Sequence, residues 1–203
     1  MVEVVKRALG PEESRTFEEE FRKLAIFFPQ RRWLEILEDH KEEVREAVEI
    51  AKEKFDMPFA GMLAKGNTFG WRFITPQDVG QSTGWANDVT ATGWQDWIGT
   101  ATSPQAISEN ALLIVLGFYN LASTPLSVSA KIAVNQTTYP VVYMEPALKM
   151  GDIHVFELGK PLIIQPESNL HIRVNYATTG TDNLALLGLT IAKASYLSSE
   201  SYG

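Results

Sequence analysis

The chain has 203 residues, 45% of them hydrophobic, with no cysteine and a net charge of −7 at pH 7. This excludes disulfides, thiolate metal sites and cysteine nucleophiles, and it argues against direct nucleic-acid binding, which needs a basic face to displace counterions. No run approaches the ~20 apolar residues of a membrane span.

Cysteine-free composition fits a reducing compartment or a hot habitat where thiols are a liability. The opening Met1–Arg7 lacks the apolar core and cleavage site of a secretory signal. The expectation is therefore a chain that stays in the cell that makes it or leaves by another route. The basic pairs Lys6-Arg7 and Arg31-Arg32 read as solvated surface.

Charge is spread unevenly. Residues 1–56 hold 11 Lys+Arg and 15 Asp+Glu, leaving 7 and 10 for residues 57–203. Two segments of different character meet near Met57. In the first, Thr16 and Glu19 have capping-box spacing, and Phe17, Phe21, Leu24, Ala25 and Phe28 recur on one helical face. A helix over about 14–28 follows, stopped by Pro29. A second helix is expected over 31–55, roughly 37 Å at 1.5 Å per residue. Along it Trp33, Leu37, His40, Val44, Ala47 and Ala51 form a near-heptad seam, widened by Ile36, Val48 and Phe55.

The two helices could pair as a hairpin around Pro29-Gln30. That hairpin packs either on its own sandwich or, through Phe17, Phe21, Trp33, Leu37 and Val44, against another subunit. Membrane contact through Ile26-Phe27-Phe28 is disfavoured by Glu12, Glu13, Glu18 and Glu19 nearby.

Residues 57–67, with Pro58, Gly61 and Gly66, form a connection. Residues 68–203 then break into short β-rich runs separated by turn residues. The expected strands are Gly70–Ile74, Trp94–Thr100, Ala111–Tyr119, Leu126–Val134, Thr138–Met144, Ile153–Glu157, Pro161–Gln165, Leu170–Tyr176 and Leu184–Lys193. Pro161–Gln165 and Leu170–Tyr176 read as a hairpin around Pro166–Asn169. Ala111–Tyr119 and Leu184–Lys193 are apolar on both faces. In a two-layer sandwich one face of each would meet water, so such strands need a second cover: the helical arm or a neighbouring molecule. The fold class is mainly β, an antiparallel β-sandwich of about eight strands (a single jelly roll) behind an N-terminal α-helical arm.

No motif names a chemistry. His40, His154 and His171 lack partners at zinc-ligand spacing, and no nucleophile elbow, P-loop or dinucleotide fingerprint is present. Asp78, Asp88 and Asp96 lack calcium-loop spacing. No catalytic residue, metal or cofactor is expected. Trp71, Trp85, Trp94 and Trp97 crowd into a Gly/Thr/Asn-rich region, either as core or interface area or, for Trp85, Trp94 and Trp97, as a sugar platform. Asn135-Gln136-Thr137 matches the N-glycosylation acceptor pattern and reads as coincidence.

The run from Pro161 through Val174, a Gly/Asp turn and Leu186-Leu187-Gly188-Leu189-Thr190-Ile191 resembles the last strands of viral jelly-roll capsid and related virion proteins. The resemblance covers about 35 residues closely. It implies a non-enzymatic subunit, made in the host cytoplasm and located in the virion. Such a subunit assembles with copies of itself and contacts other virion proteins. Unlike the basic arms of many such proteins, this arm is acidic, which argues against genome neutralisation. Cysteine-free, Glu/Lys/Arg-dense helices suit a virus of a thermophilic archaeal or bacterial host. The rival readings are an extracellular filament or surface-layer subunit and a carbohydrate-binding β-sandwich.

Overall fold

The computed structural model describes residues 8–27, 31–82, 84–144 and 154–199, without the side chains of Ala25, Phe27, Arg31 and Ser199. Lys6-Arg7, Phe28, Pro29-Gln30 and Ile153, named above, lie outside the described residues.

Helix α1 spans Pro11–Phe27. It starts earlier than Thr16. Pro11 fits the first turn because it needs no amide partner there, and Glu13 turns back to accept the Gly10 N–H at 3.1 Å. Thr16 is thus an interior residue whose hydroxyl donates to Glu12 O at 3.0 Å, not a cap.

The expected long second helix is two: α2 (Arg31–Asp39) and α3 (Lys41–Phe55). The break is His40, at φ −110° and ψ 24°. Backbone bonds still run through it, from His40 N to Ile36 O and from Val44 N to His40 O. Its imidazole is drawn to Glu157, with Nε2 3.0 Å from Oε1. Helix α1 lies antiparallel to α3. Glu18 accepts from Lys41 at 2.6 Å and Arg45 at 2.7 Å, and Glu13 pairs with Lys52.

In chain order the strands are β1 (Phe69–Phe73), β2 (Asn87–Val89), β3 (Gly93–Ile98), β4 (Gln105–Ala106), β5 (Ala111–Asn120) and β6 (Ser127–Val134). Then come β7 (Thr137–Thr138), β8 (Val142–Tyr143), β9 (Val155–Ile164), β10 (Asn169–Tyr176), β11 (Gly180–Asp182) and β12 (Leu184–Lys193), and a last helix, α4 (Ala194–Ser199). One sheet has the order β1-β12-β5-β9. The other runs β3-β10-β6-β7, with β4 beside β10 and β8 beside β6, while β2 and β11 form a separate ribbon. These strands pair antiparallel throughout. The protein is a mainly β, sandwich-like structure with an N-terminal helical segment.

Pairing among the principal strands is nested. β1 pairs with β12, β3 with β10, β5 with β9, and β6 with β8. The chain therefore crosses repeatedly from one sheet to the other.

The hairpin expected between Pro161–Gln165 and Leu170–Tyr176 does not form. β9 pairs with β5 in the first sheet, and β10 with β3 and β6 in the second. The turn, with Glu167 at φ 62°, carries the chain over the edge of the sandwich. The apolar faces of the two strands meet across the core, with Leu162, Ile164, Leu170 and Ile172 in one cluster. Alternation records which face is buried; it is silent on which strand lies alongside. The separate runs 153–157 and 161–165 join as one strand, β9, with a register shift opposite Val115–Gly117.

Both doubly apolar strands are covered twice. On β5, Leu113, Val115 and Phe118 face the inter-sheet core. Leu112, Ile114 and Leu116 join a second core with Phe17, Leu37, Val44, Val48 and Trp71. On β12, Leu184 and Leu186 serve the first core and Leu187, Leu189 and Ile191 the second in unbroken alternation, whereas on β5 the faces exchange at Leu116, the extra residue opposite Leu187 and Gly188. Each such side chain contributes about 1.5–3 kcal/mol when fully buried. The helical layer is thus an integral cover of the first sheet.

Among the described residues no helix is long and apolar enough to cross a membrane.

Candidate functional site

The five side chains expected to meet another subunit face their own chain. Phe17, Phe21, Leu37 and Val44 are buried in the helix–sheet core. Trp33 is half-buried, its ring 4.4 Å edge-on from Tyr119 of β5. The buried apolar face of the described helices packs against β1, β5, β9 and β12. Ile26 is 78% exposed, while the side chains of its neighbours Phe27 and Phe28 lie outside the described residues.

The three tryptophans of the sugar-platform reading are split. Arg173 of β10 pairs with Asp96 of β3, but the next pair is Ile172 with Ile98. Trp97 is the extra residue of a bulge, and bulges re-aim side chains. Both Trp97 and Ile98 turn into the core. There Trp97 lies 6.3 Å from Phe118 and 5.9 Å from Trp85, which packs on the rim of the same core. Trp94 is left half-buried, with the Lys131 ammonium 4.4 Å over its ring.

Beside Trp94, on the outer face of the second sheet, lies a cluster the sequence did not reveal. His171 Nε2 is 2.7 Å from Asp96 Oδ1, Arg173 Nε is 3.3 Å from the same oxygen, and Arg173 donates to Trp94 O at 3.0 Å. Asp96 and His171 stand 75 positions apart in the chain, and only the β3–β10 register unites them. Beyond His171 the face opens into a cavity of about 550 Å³ lined by Thr100, Thr102, Gln136, Thr138, Asn169 and His171, among others.

Hydrogen bonds between turns brace its walls. Asn135 and Gln136 take left-handed conformations, φ 48° and 69°, at the tight β6–β7 turn. Asn135 accepts Asn169 N–H at 2.8 Å and donates to Ser168 Oγ at 3.3 Å, tying that turn to the β9–β10 turn. Opposite, Ser103 N–H donates to Thr100 Oγ1 at 2.9 Å and Thr100 N–H to Ser103 O.

The buried carboxylates hold the fold. Asp78 accepts two bonds from Arg72, at 2.7 and 2.9 Å, and others from Thr75 N, Thr190 Oγ1 and the Tyr196 hydroxyl. Asp182 accepts Asn120 Nδ2 at 2.7 Å and Leu126 N at 3.2 Å. Near it, burial pushes the Tyr176 phenol up to about 12, with the Asp182 charge adding and an Asn87 hydrogen bond opposing. Among the described residues no group of three His, Asp or Glu side chains is placed to hold a metal ion.

Of the histidines, His40 bridges α2 and β9 through Glu157, which also accepts Arg32 at 2.9 Å. His154 supplies a carbonyl to Asn120 N–H, and His171 belongs to the outer face. Comparison with protein-family models, curated proteins and solved structures gives no match for this chain.

Proposed function

We propose that this chain is a virion structural protein, a capsid subunit built on a single jelly roll that assembles with copies of itself. The nested pairing of β1 with β12, β3 with β10, β5 with β9 and β6 with β8 carries the reading. A long antiparallel ribbon rolled into two facing sheets gives that order, and such rolled double sheets are a recurrent capsid architecture.

Self-assembly must use surfaces other than the apolar face of the helices, which already covers the first sheet. Among the described residues Ile26, Leu63, Leu121, Tyr139 and Tyr143 are large hydrophobic side chains left at the surface, and they support the reading without carrying it. Acidic helices on the outside of the first sheet suit contact between proteins better than contact with a genome.

Electron microscopy of the purified chain, with light scattering for its mass, tests the proposal. Shells or regular capsomers are expected across a series of salt and pH conditions. Open filaments would instead favour a filament or surface-layer subunit, and a monodisperse monomer under every condition would overturn both.

A further inference from the structure

We propose that the cavity beside His171 is a binding site for a neutral, polyhydroxylated ligand, an oligosaccharide of hexose units. At about 550 Å³ it falls within the ~300–1,000 Å³ of small-molecule sites. Its lining combines hydroxyl, amide and imidazole groups with the small apolar surfaces of Ala101, Pro104 and Ala133, and holds no Lys, Arg, Asp or Glu. A phosphate or carboxylate would find no Lys or Arg in it, and an apolar ligand would leave the polar groups without partners, a loss of roughly 1–3 kcal/mol for each one buried.

The side chains of Gln136, Thr138 and Asn169 are exposed and make no hydrogen bond to another described residue. They supply both donors and acceptors, which is what vicinal sugar hydroxyls require. His171 is the oriented member. With Nε2 held by Asp96, Nδ1 is its remaining hydrogen-bonding atom. The braces between Asn135, Ser168 and Asn169 and between Thr100 and Ser103 hold the walls in place before a ligand arrives, which lowers the ordering cost of binding. This site is separate from the tryptophan platform expected from sequence: Trp85, Trp94 and Trp97 do not line it.

Saturation-transfer NMR on the full chain tests this, with maltotriose, cellotriose and lactose as probes and sialyllactose as the acidic comparison. Transfer to at least one neutral saccharide is expected. The double variant Asn169→Ala/Thr138→Val should weaken it by roughly two- to twelvefold for each hydrogen bond removed. Trp94→Ala should leave it unchanged. Amide shifts in the ¹⁵N-labelled wild-type chain, independent of any variant, should concentrate at residues 100–103, 136–138 and 169–171. The proposal is overturned if no neutral saccharide shows transfer, if only sialyllactose does, if the folded double variant binds as wild type, or if the shifts map elsewhere.

Discussion

Replacing Phe17 by alanine tests whether helices and sandwich share one cooperative core. The Phe17 ring is fully buried, 5.6 Å from Phe21 and 5.5 Å at 67° from Trp71 of β1, and the Arg45 guanidinium sits 4.7 Å above it. Truncation leaves a cavity bounded by the sheet itself, which cannot collapse to fill it. Phe→Ala at such sites costs about 3–5 kcal/mol, including the aromatic pairings at ~0.5–1.5 kcal/mol each. With a urea dependence of about 3 kcal/mol/M, the midpoint should fall by about 1–1.7 M. Far-ultraviolet circular dichroism reads the helices, and fluorescence is dominated by the four tryptophans of the β region. Both transitions should move down together. A loss below about 1 kcal/mol, or melting of the helical signal ahead of the fluorescence, would refute the shared core.

Three further outcomes follow from the buried and paired charges. Asp78→Ala should cost about 3–5 kcal/mol by removing the buried carboxylate that accepts from Arg72 and the Thr190 and Tyr196 hydroxyls, as a thermal scan would show; a loss within experimental error would mean that the network relaxes without it. A hydrogen bond from Lys41, opposed by burial and aided by the charges of Lys41 and Arg45, holds the Glu18 carboxyl below its ordinary 4.5. Its share of stability is therefore present at neutral pH and lost as pH falls below about 4.5. Glu18→Gln should remove that share, under ~1 kcal/mol for so accessible a pair, and flatten the acid limb of stability against pH; an unchanged limb would show the pair to be neutral. The Tyr176 phenol, raised to about 12, stabilises the fold fully below pH 10 and loses that contribution as pH rises toward its folded value. Spectrophotometric titration should show a tyrosine component ionising only near pH 12 that disappears in Tyr176→Phe. Ionisation of all six tyrosines in one step near their ordinary value, with the fold intact, would contradict its burial.

Local pattern by itself determined a great deal here. The change in charge density near Met57 marked the end of the helices, and the spacing of Phe17, Phe21, Leu37, Val44, Val48 and Phe55 named the face that is buried. The double apolarity of Ala111–Tyr119 and Leu184–Lys193 required a layer on each side, because the second face of such a strand cannot be left in water. These signals are legible because periodicity and burial act over a few neighbouring residues.

What covers a face, and which strand lies beside which, are settled by contacts between distant residues. The same helix seam would suit a second subunit or β5 and β12, and the structure chose the latter. Alternation in Pro161–Tyr176 fitted a hairpin as well as two strands facing each other across a core. The bulge that buries Trp97, the break at His40 opposite Glu157, and the meeting of His171 with Asp96 leave no local trace, since each depends on a partner more than 70 positions away. The tertiary structure alone therefore decided that the helices close the first sheet and that a braced polar cavity without Lys, Arg, Asp or Glu in its lining opens on the second.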